Sequence, residues 1–147
     1  MKDDKGFTLI ELIVILGLAT IVMGAVMSFF IANYRSYNRL NTESELQYQS
    51  QYIINFMTDK ILAAEKYEED GKYKFYVDDK WIYFWTDGDS LMFEDEDNPG
   101  EKAIGSSISE FKVASISPNE VKIDLTLEKQ KVEVKASQTV YMRNSNK

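Results

Sequence analysis

The hydrophobic pattern of the chain changes twice, and the first part is the most distinctive. An apolar run without any charged residue extends from Leu12 to Tyr34. At about 1.5 Å of rise per residue, a helix of that length spans the roughly 30 Å hydrocarbon core of a bilayer. The run therefore predicts a membrane-spanning helix near the N-terminus, because a secretory signal peptide would have a shorter apolar core.

The second part keeps the helical period but becomes amphipathic. No proline or glycine occurs between Ala32 and Gly71, and apolar residues recur at spacings of three, four and seven. The stripe that they form consists of Leu46, Ile53, Met57 and Ile61, with Ile54 and Leu62 beside them. We therefore predict a helix from Phe7 to about Ala64, whose second half, about 33–64, faces a core.

The third part begins after a polar break at Glu68–Gly71, where the period changes to two, as is typical of strands. The middle of the chain then predicts short strands at Tyr73–Val77, Lys80–Thr86 and Ser90–Glu94. The last third predicts a three-stranded antiparallel meander with one buried face, which includes Phe111, Val113, Val121, Ile123, Leu125, Leu127, Val132, Val134, Ala136, Val140 and Met142. The predicted fold class is α+β, with the amphipathic half-helix packed on antiparallel sheet over about 72–143.

Composition narrows the range of functions. The chain has 24 acidic and 17 basic residues, a net charge of −7, which argues against a body that neutralises many phosphates. It has no cysteine and no histidine, so disulfides, thiolate metal sites and the commonest catalytic bases are excluded. There is also no glycine loop of the kind that cradles phosphate. We expect no enzyme activity, no catalytic residue and no cofactor.

Two charged clusters leave alternatives open. Lys122, Lys129, Lys131 and Lys135 form either a local DNA-binding patch or a solvated strand face with edge protection. The acidic stretch of residues 94–97, followed by Asn98-Pro99-Gly100, offers oxygen ligands for calcium but lacks the ligand spacing of an EF-hand loop. The simpler interpretation of this stretch is a solvated acidic loop, and we expect no metal site.

One carboxylate, Glu11, lies at the start of the apolar run. An ionised carboxylate at the centre of a membrane helix costs about 2.5–3.5 kcal/mol on insertion scales, so a buried Glu11 requires a cationic partner. In an ordinary single-pass anchor, the side chain would instead extend to the membrane interface.

The stretch Lys5-Gly6-Phe7-Thr8-Leu9-Ile10-Glu11-Leu12-Ile13 resembles the class III signal of type IV pilins and pseudopilins. The resemblance implies that a membrane peptidase cuts after Gly6 and methylates the new N-terminal Phe7. It also implies that the apolar segments pack together in the centre of a helical filament. The Phe7 ammonium of one subunit would then neutralise Glu11 of its neighbour.

Small residues recur along the apolar run at helical spacing, namely Gly17, Thr20, Gly24 and Ser28. Such a face lets membrane helices approach closely. The alternative is ordinary transmembrane composition, which is rich in small residues. We treat the four positions as a candidate helix-packing face.

Aromatic residues crowd the middle of the chain: Tyr73, Phe75, Tyr76, Trp81, Tyr83, Phe84 and Trp85. Some of them must pack on the helix stripe, and the rest lie on the opposite face of the sheet. That outer face is either a contact surface for another pilin or a ligand, or it is covered by further packing within the chain.

The resemblance implies a domain organisation of a leader at 1–6, a membrane or filament-core half-helix at 7–32, and a pilin globular domain at 33–147. The closing stretch of residues 139–144 resembles the ends of PilW-like minor pilins and of the J-type pseudopilin of type II secretion. The expected function is a minor pilin or pseudopilin that primes or decorates a filament for adhesion, twitching motility, secretion or DNA uptake.

The partners implied are a prepilin peptidase/methyltransferase, sibling major and minor pilins, and an assembly platform protein. The chain would be a single-pass membrane protein, held by residues 7–32, before it joins an extracellular, periplasmic or cell-wall filament. Nucleic-acid binding by this chain alone is not expected. The alternative is a signal-anchored envelope binding protein that keeps its leader and never polymerises.

Overall fold

Helix α1 extends from Leu9 to Ile61 in the computed structural model, which describes residues 8–142 of the chain. The chain divides into two units, residues 1–40 and residues 41–147. The described part of the first unit is a stretch of α1 with exposed apolar side chains. The second unit contains the remainder of α1 and two antiparallel sheets, which is the α+β class that the sequence predicts.

The helix ends earlier than predicted. Its predicted first residue, Phe7, lies outside the described residues, and its last helical residue is Ile61 rather than about Ala64. Beyond Ile61 the backbone turns, with the Ala64 N–H donating to the Ile61 carbonyl at 2.9 Å. The next N–H, that of Glu65, donates to the Tyr76 carbonyl at 2.8 Å, so the chain has already joined a sheet.

The first sheet has five strands in sequential order, each antiparallel to the next. They are β1 Lys66–Glu69, β2 Tyr73–Val77, β3 Lys80–Asp87, β4 Ser90–Asp95 and β5 Asn98–Gly105. The predicted strands correspond to β2, β3 and β4, of which β2 has the predicted bounds and the other two are one residue longer. Asp78 and Asp79 both have positive φ, as the tight turn between β2 and β3 requires.

Two strands of this sheet were not predicted. Residues Lys66–Glu69, which overlap the predicted break at Glu68 and Glu69, form β1 because their backbone pairs in register with β2. Asn98–Gly105 forms β5, although its start was predicted as a loop; only Glu96 and Asp97 of that acidic stretch form a turn. Most of β5 is exposed, and Pro99 is tolerated there because β5 is an edge strand.

The second sheet is the predicted three-stranded antiparallel meander. Its strands are β6 Ile108–Ser117, β7 Glu120–Lys129 and β8 Val132–Tyr141. The alternation of β7 is clear: Val121, Ile123 and Leu125 are buried, and the residues between them are half-buried.

A single hydrophobic core joins the second part of α1 to both sheets. The predicted helix stripe is confirmed, since Leu46, Ile53, Met57 and Ile61 are fully buried. Phe75 and Phe84 from the first sheet are also fully buried, so part of the aromatic group packs inward as expected. At Gly105 the strand backbone lies so close to the helix that an added Cβ would collide with Ile53 Cδ1.

Candidate functional site

The predicted processing residues, Gly6 and Phe7, lie outside the described residues. The first described residue is Thr8, which directly precedes helix α1. Thr8 is therefore the N-cap residue, the position that Ser, Thr, Asp and Asn favour because their side-chain oxygen satisfies an unpaired N–H of the first turn.

Glu11 and Thr8 form a reciprocal capping box at this helix start. The Thr8 backbone N–H and the Thr8 hydroxyl both donate to Glu11 Oε2, each at 2.9 Å. In return, the Glu11 N–H donates to Thr8 Oγ1 at 3.3 Å. This arrangement satisfies two N–H groups that the helix itself leaves unpaired.

The capping box gives Glu11 a hydrogen-bond partner, Thr8, that was not predicted. The donors are neutral groups of the same chain rather than a cation from another chain. The spacing Thr8-x-x-Glu11 before an apolar run is a recognisable capping signature, so the signal was present in the sequence.

Within residues 8–40, α1 exposes a continuous apolar surface, with Leu9, Ile21 and Phe29 each about 70% exposed or more. By length and composition, α1 is the one helix among the described residues that could cross a membrane.

The small-residue positions lie on α1 and make hydrogen bonds only within the helix. The Thr20 hydroxyl donates to the Gly17 carbonyl at 2.7 Å, and the Ser28 hydroxyl donates to the Gly24 carbonyl at 2.9 Å. Apart from the adjacent residues and backbone of the helix itself, no heavy atom lies within 4 Å of a Cβ built on Gly17 or Gly24. An apolar neighbour could approach this face without leaving a hydroxyl donor unpaired.

Three of the four lysines singled out in the last third pair with carboxylates. Lys122 pairs with Asp124 at 2.8 Å, Lys129 pairs with Glu45 at 2.7 Å, and Lys135 pairs with Glu133 at 3.0 Å. The hydrogen bond from Lys122, together with one from Ser137, holds the pKa of Asp124 below its usual range. The ion pairs favour a solvated strand face over a DNA site.

The acidic turn uses its carboxylates within the chain. Glu96 Oε2 accepts the Trp81 N–H at 2.8 Å, Asp97 Oδ2 pairs with Lys80 Nζ at 2.5 Å, and Asp95 Oδ1 accepts the Asp97 N–H at 3.2 Å. Within residues 8–142, no group of three or more acidic residues is placed to hold a metal ion. These contacts favour the structural interpretation over calcium binding.

The outer aromatic face of the five-stranded sheet is covered partly by lysines of the same chain. Lys72 Nζ lies 3.4 Å from the ring centroid of Trp85, and Lys66 Nζ lies 5.5 Å from that of Tyr76. Tyr76 in turn contacts Trp81, with ring centroids 5.2 Å apart. Cation–π contacts of this kind leave the rings half-buried, which favours packing within the chain over an open ligand platform.

A family model, the prokaryotic N-terminal methylation motif, matches residues 1–27 of the chain. No curated protein and no solved structure matches the chain. The motif supports the interpretation that this is a type IV pilin-like chain. Proteins with this motif are structural subunits. Their signal implies processing by a prepilin peptidase and assembly with pilin partners. With the apolar part of α1, it is consistent with membrane anchoring before assembly into a surface filament.

Proposed function

We propose that the chain is a minor pilin or pseudopilin, a structural subunit that primes or decorates a type IV pilus or a related filament. The observation that carries this proposal is the methylation motif at residues 1–27. Within it, Gly6-Phe7 precedes Glu11 and the start of the apolar run that carries no charge from Leu12 to Tyr34. In this proposal residues 1–6 are a leader, residues 7–32 are the membrane and filament segment, and residues 33–147 are the body.

Cleavage after Gly6 changes the electrostatics of the helix start. It creates an ammonium group at Phe7, four residues before Glu11. In the membrane-bound subunit, Thr8 keeps the Glu11 carboxylate hydrogen-bonded. In the filament, Glu11 of one subunit pairs with the Phe7 ammonium of the next, an interaction that is strong in an apolar bundle because the effective dielectric constant is low.

The rest of the segment supports close packing of subunits. Its apolar side chains are exposed in the single chain. Gly17 and Gly24 have open space above them, so a neighbouring helix can approach closely at these positions. The partners in this proposal are the prepilin peptidase/methyltransferase, sibling major and minor pilins, and the assembly platform protein.

A second candidate is a signal-anchored envelope binding protein that does not polymerise. The Thr8–Glu11 capping box favours it, because a carboxylate that is satisfied within its own helix start needs no neighbouring subunit. Such a protein would keep residues 1–6.

Mass spectrometry of the protein purified from membranes of its own cells separates the two candidates. A pilin-like subunit should begin at Phe7 and carry one added methyl group. Gly6→Val should leave the leader attached, because the peptidase depends on the residue before the cut. An uncut wild-type chain, or a Gly6→Val chain that is cleaved and methylated normally, would contradict the proposed function.

A further inference from the structure

Strand β8 is an open sheet edge. Among the described residues, the two sheets have four edge strands, namely β1, β5, β6 and β8. β1 has only four residues, β5 contains Pro99 and a shifted register, and the pairing of β6 is also shifted at two places. β8 instead pairs with β7 through ten consecutive residues without a shift. Short strands, proline and bulges discourage further pairing, so β8 is the edge best suited to accept another strand.

A groove separates this edge from helix α1, and we call it the β8 groove. Its volume is about 390 Å³. Residues 134–138 of β8 line one side, and the helix contributes Gln47, Ser50, Gln51, Ile54 and Asn55. Residues 134–138 extend over about 13 Å, so the groove has room for about four residues of an extended chain.

Three side-chain amides border the groove at a regular spacing on α1. Gln47, Gln51 and Asn55 are exposed, and within residues 8–142 their side chains make no hydrogen bond. Successive amides are four residues apart, about 6.0 Å along the helix. Along one edge of an extended chain, the backbone N–H and C=O groups repeat every two residues, about 6.4–6.8 Å. The two spacings differ by less than about 1 Å per step, which flexible side chains can absorb.

We propose that the β8 groove binds an extended, uncharged segment of another polypeptide, which adds a strand to β8. One edge of that segment pairs with the backbone of β8. The other edge faces the three amides, each of which can donate to a backbone carbonyl and accept from a backbone N–H. The groove lies wholly in the second unit, so this inference does not depend on the proposed role of the apolar segment.

The charge of the groove determines which segment fits. Among the described residues that line it, Lys135 is the one charged residue, and its ammonium pairs with the Glu133 carboxylate at 3.0 Å. A charged side chain on the incoming segment would lose water without gaining a free counter-ion. The other lining residues are amides, serines and the apolar Ile54, Val134 and Ala136. We therefore expect small, uncharged residues such as serine, threonine and alanine in the segment.

Photo-crosslinking of the full-length chain in its own cells identifies the segment. Benzoylphenylalanine replaces Gln138, which lines the groove, and in the control it replaces Tyr141, which is exposed on the same strand outside the groove. We expect at least a fivefold excess of crosslinked product for position 138, with the crosslink in an uncharged stretch of another protein. Equal yields, or a crosslink to a glycan, to a charged stretch or to the chain itself, would overturn the proposal.

A backbone test shows whether the captured segment binds as a strand. The segment is synthesised as a fluorescent peptide, once unmodified and once with N-methyl groups on alternate residues, which remove backbone donors and keep every side chain. Fluorescence anisotropy with the full-length chain in detergent should show binding weakened about tenfold or more by methylation, because several backbone hydrogen bonds are lost. Equal affinity of the two peptides would show that no strand is added.

Variants of the amides test the helix side of the groove. Gln51→Ala with Asn55→Ala should weaken binding of the unmodified peptide about tenfold or more, because the segment loses hydrogen bonds along its second edge. The matched control is Asn41→Ala with Ser44→Ala, two exposed positions on α1 outside the groove, which should bind as wild type does. Unchanged binding by the first double variant overturns the inference. Leader processing is measured separately, so the proposed function survives that result.

Discussion

The Thr8–Glu11 pair separates two roles that a single carboxylate can have. As a capping group, Glu11 only has to accept hydrogen bonds from Thr8, and the side-chain oxygen of a glutamine can also accept them. As the counter-ion of a Phe7 ammonium, it has to be negative. The charge is therefore required for the second role and not for the first.

We predict that Glu11→Gln behaves like Glu11→Leu in assembly. Both variants should insert and be processed, but both should leave a buried ammonium unpaired in the filament, at a cost of about 3–5 kcal/mol. Co-purification of sibling pilins at equal membrane levels measures the effect. If Glu11→Gln recovers siblings as well as wild type while Glu11→Leu does not, Glu11 acts as a helix cap rather than as an ion-pair partner.

At the scale of secondary-structure elements, burial explains which strands could be predicted. β2, β3 and the three strands of the second sheet alternate between apolar and polar residues because one face of each is in the core. β1 and β5 are edge strands with few buried residues, so their sequences carry little alternation. These two segments form strands because they pair with β2 and β4, and such pairing cannot be predicted from a local sequence pattern.

The contact between β5 and α1 gives an element-scale prediction. Gly105→Ala should destabilise the body by about 1–3 kcal/mol, because the new Cβ would collide with Ile53 Cδ1 and lie 3.0 Å from Ile53 Cγ1. Ile53→Val removes Cδ1 and should recover part of that loss in the double variant. Tryptophan fluorescence during urea unfolding measures the free energy of unfolding of each variant, since Trp81 and Trp85 both lie on β3. Strictly additive single effects would show that the two residues do not meet.

A second prediction at this scale concerns the link between the two sheets. The Tyr67 hydroxyl on β1 donates to the Val113 carbonyl on β6 at 3.1 Å, and burial raises the pKa of Tyr67 well above its usual value. The stability from the neutral phenol is complete below about pH 10 and is lost as pH rises further. Tyr67→Phe should cost about 1 kcal/mol at pH 7, because the partly buried Val113 carbonyl loses this donor.

Urea unfolding of wild type and Tyr67→Phe between pH 7 and pH 11 measures this difference. The two stability curves should approach each other above pH 10, because only the wild type has this phenol to ionise. Curves that stay parallel would show that Tyr67 does not contribute to the alkaline loss of stability.

At the scale of the whole molecule, features made of residues close together in the sequence were easier to predict than features that folding assembles from distant residues. Gly6, Phe7 and Glu11 follow one another in a short motif, so their candidate roles were predicted without any structure. The Lys129–Glu45 ion pair was not predicted, because its residues lie far apart in the sequence, whereas the partners of Lys122 and Lys135 lie two residues away on the same strand.

The last prediction is that residues 33–147 fold without the apolar segment. All members of the core cluster lie between Leu46 and Met142, and residues 41–147 form a unit of their own, so removal of residues 1–32 takes away no core side chain. The fragment should be soluble, because the most extended exposed apolar surface lies in the segment removed. It should also be monomeric, because it lacks the apolar segment that packs between subunits in the proposed function. Circular dichroism should show helix and strand signals that disappear together on heating, and size-exclusion chromatography should give one monomer peak. A fragment without cooperative unfolding would contradict the claim that helix and sheets share one core, whereas a folded dimer would show that the body associates without the membrane segment.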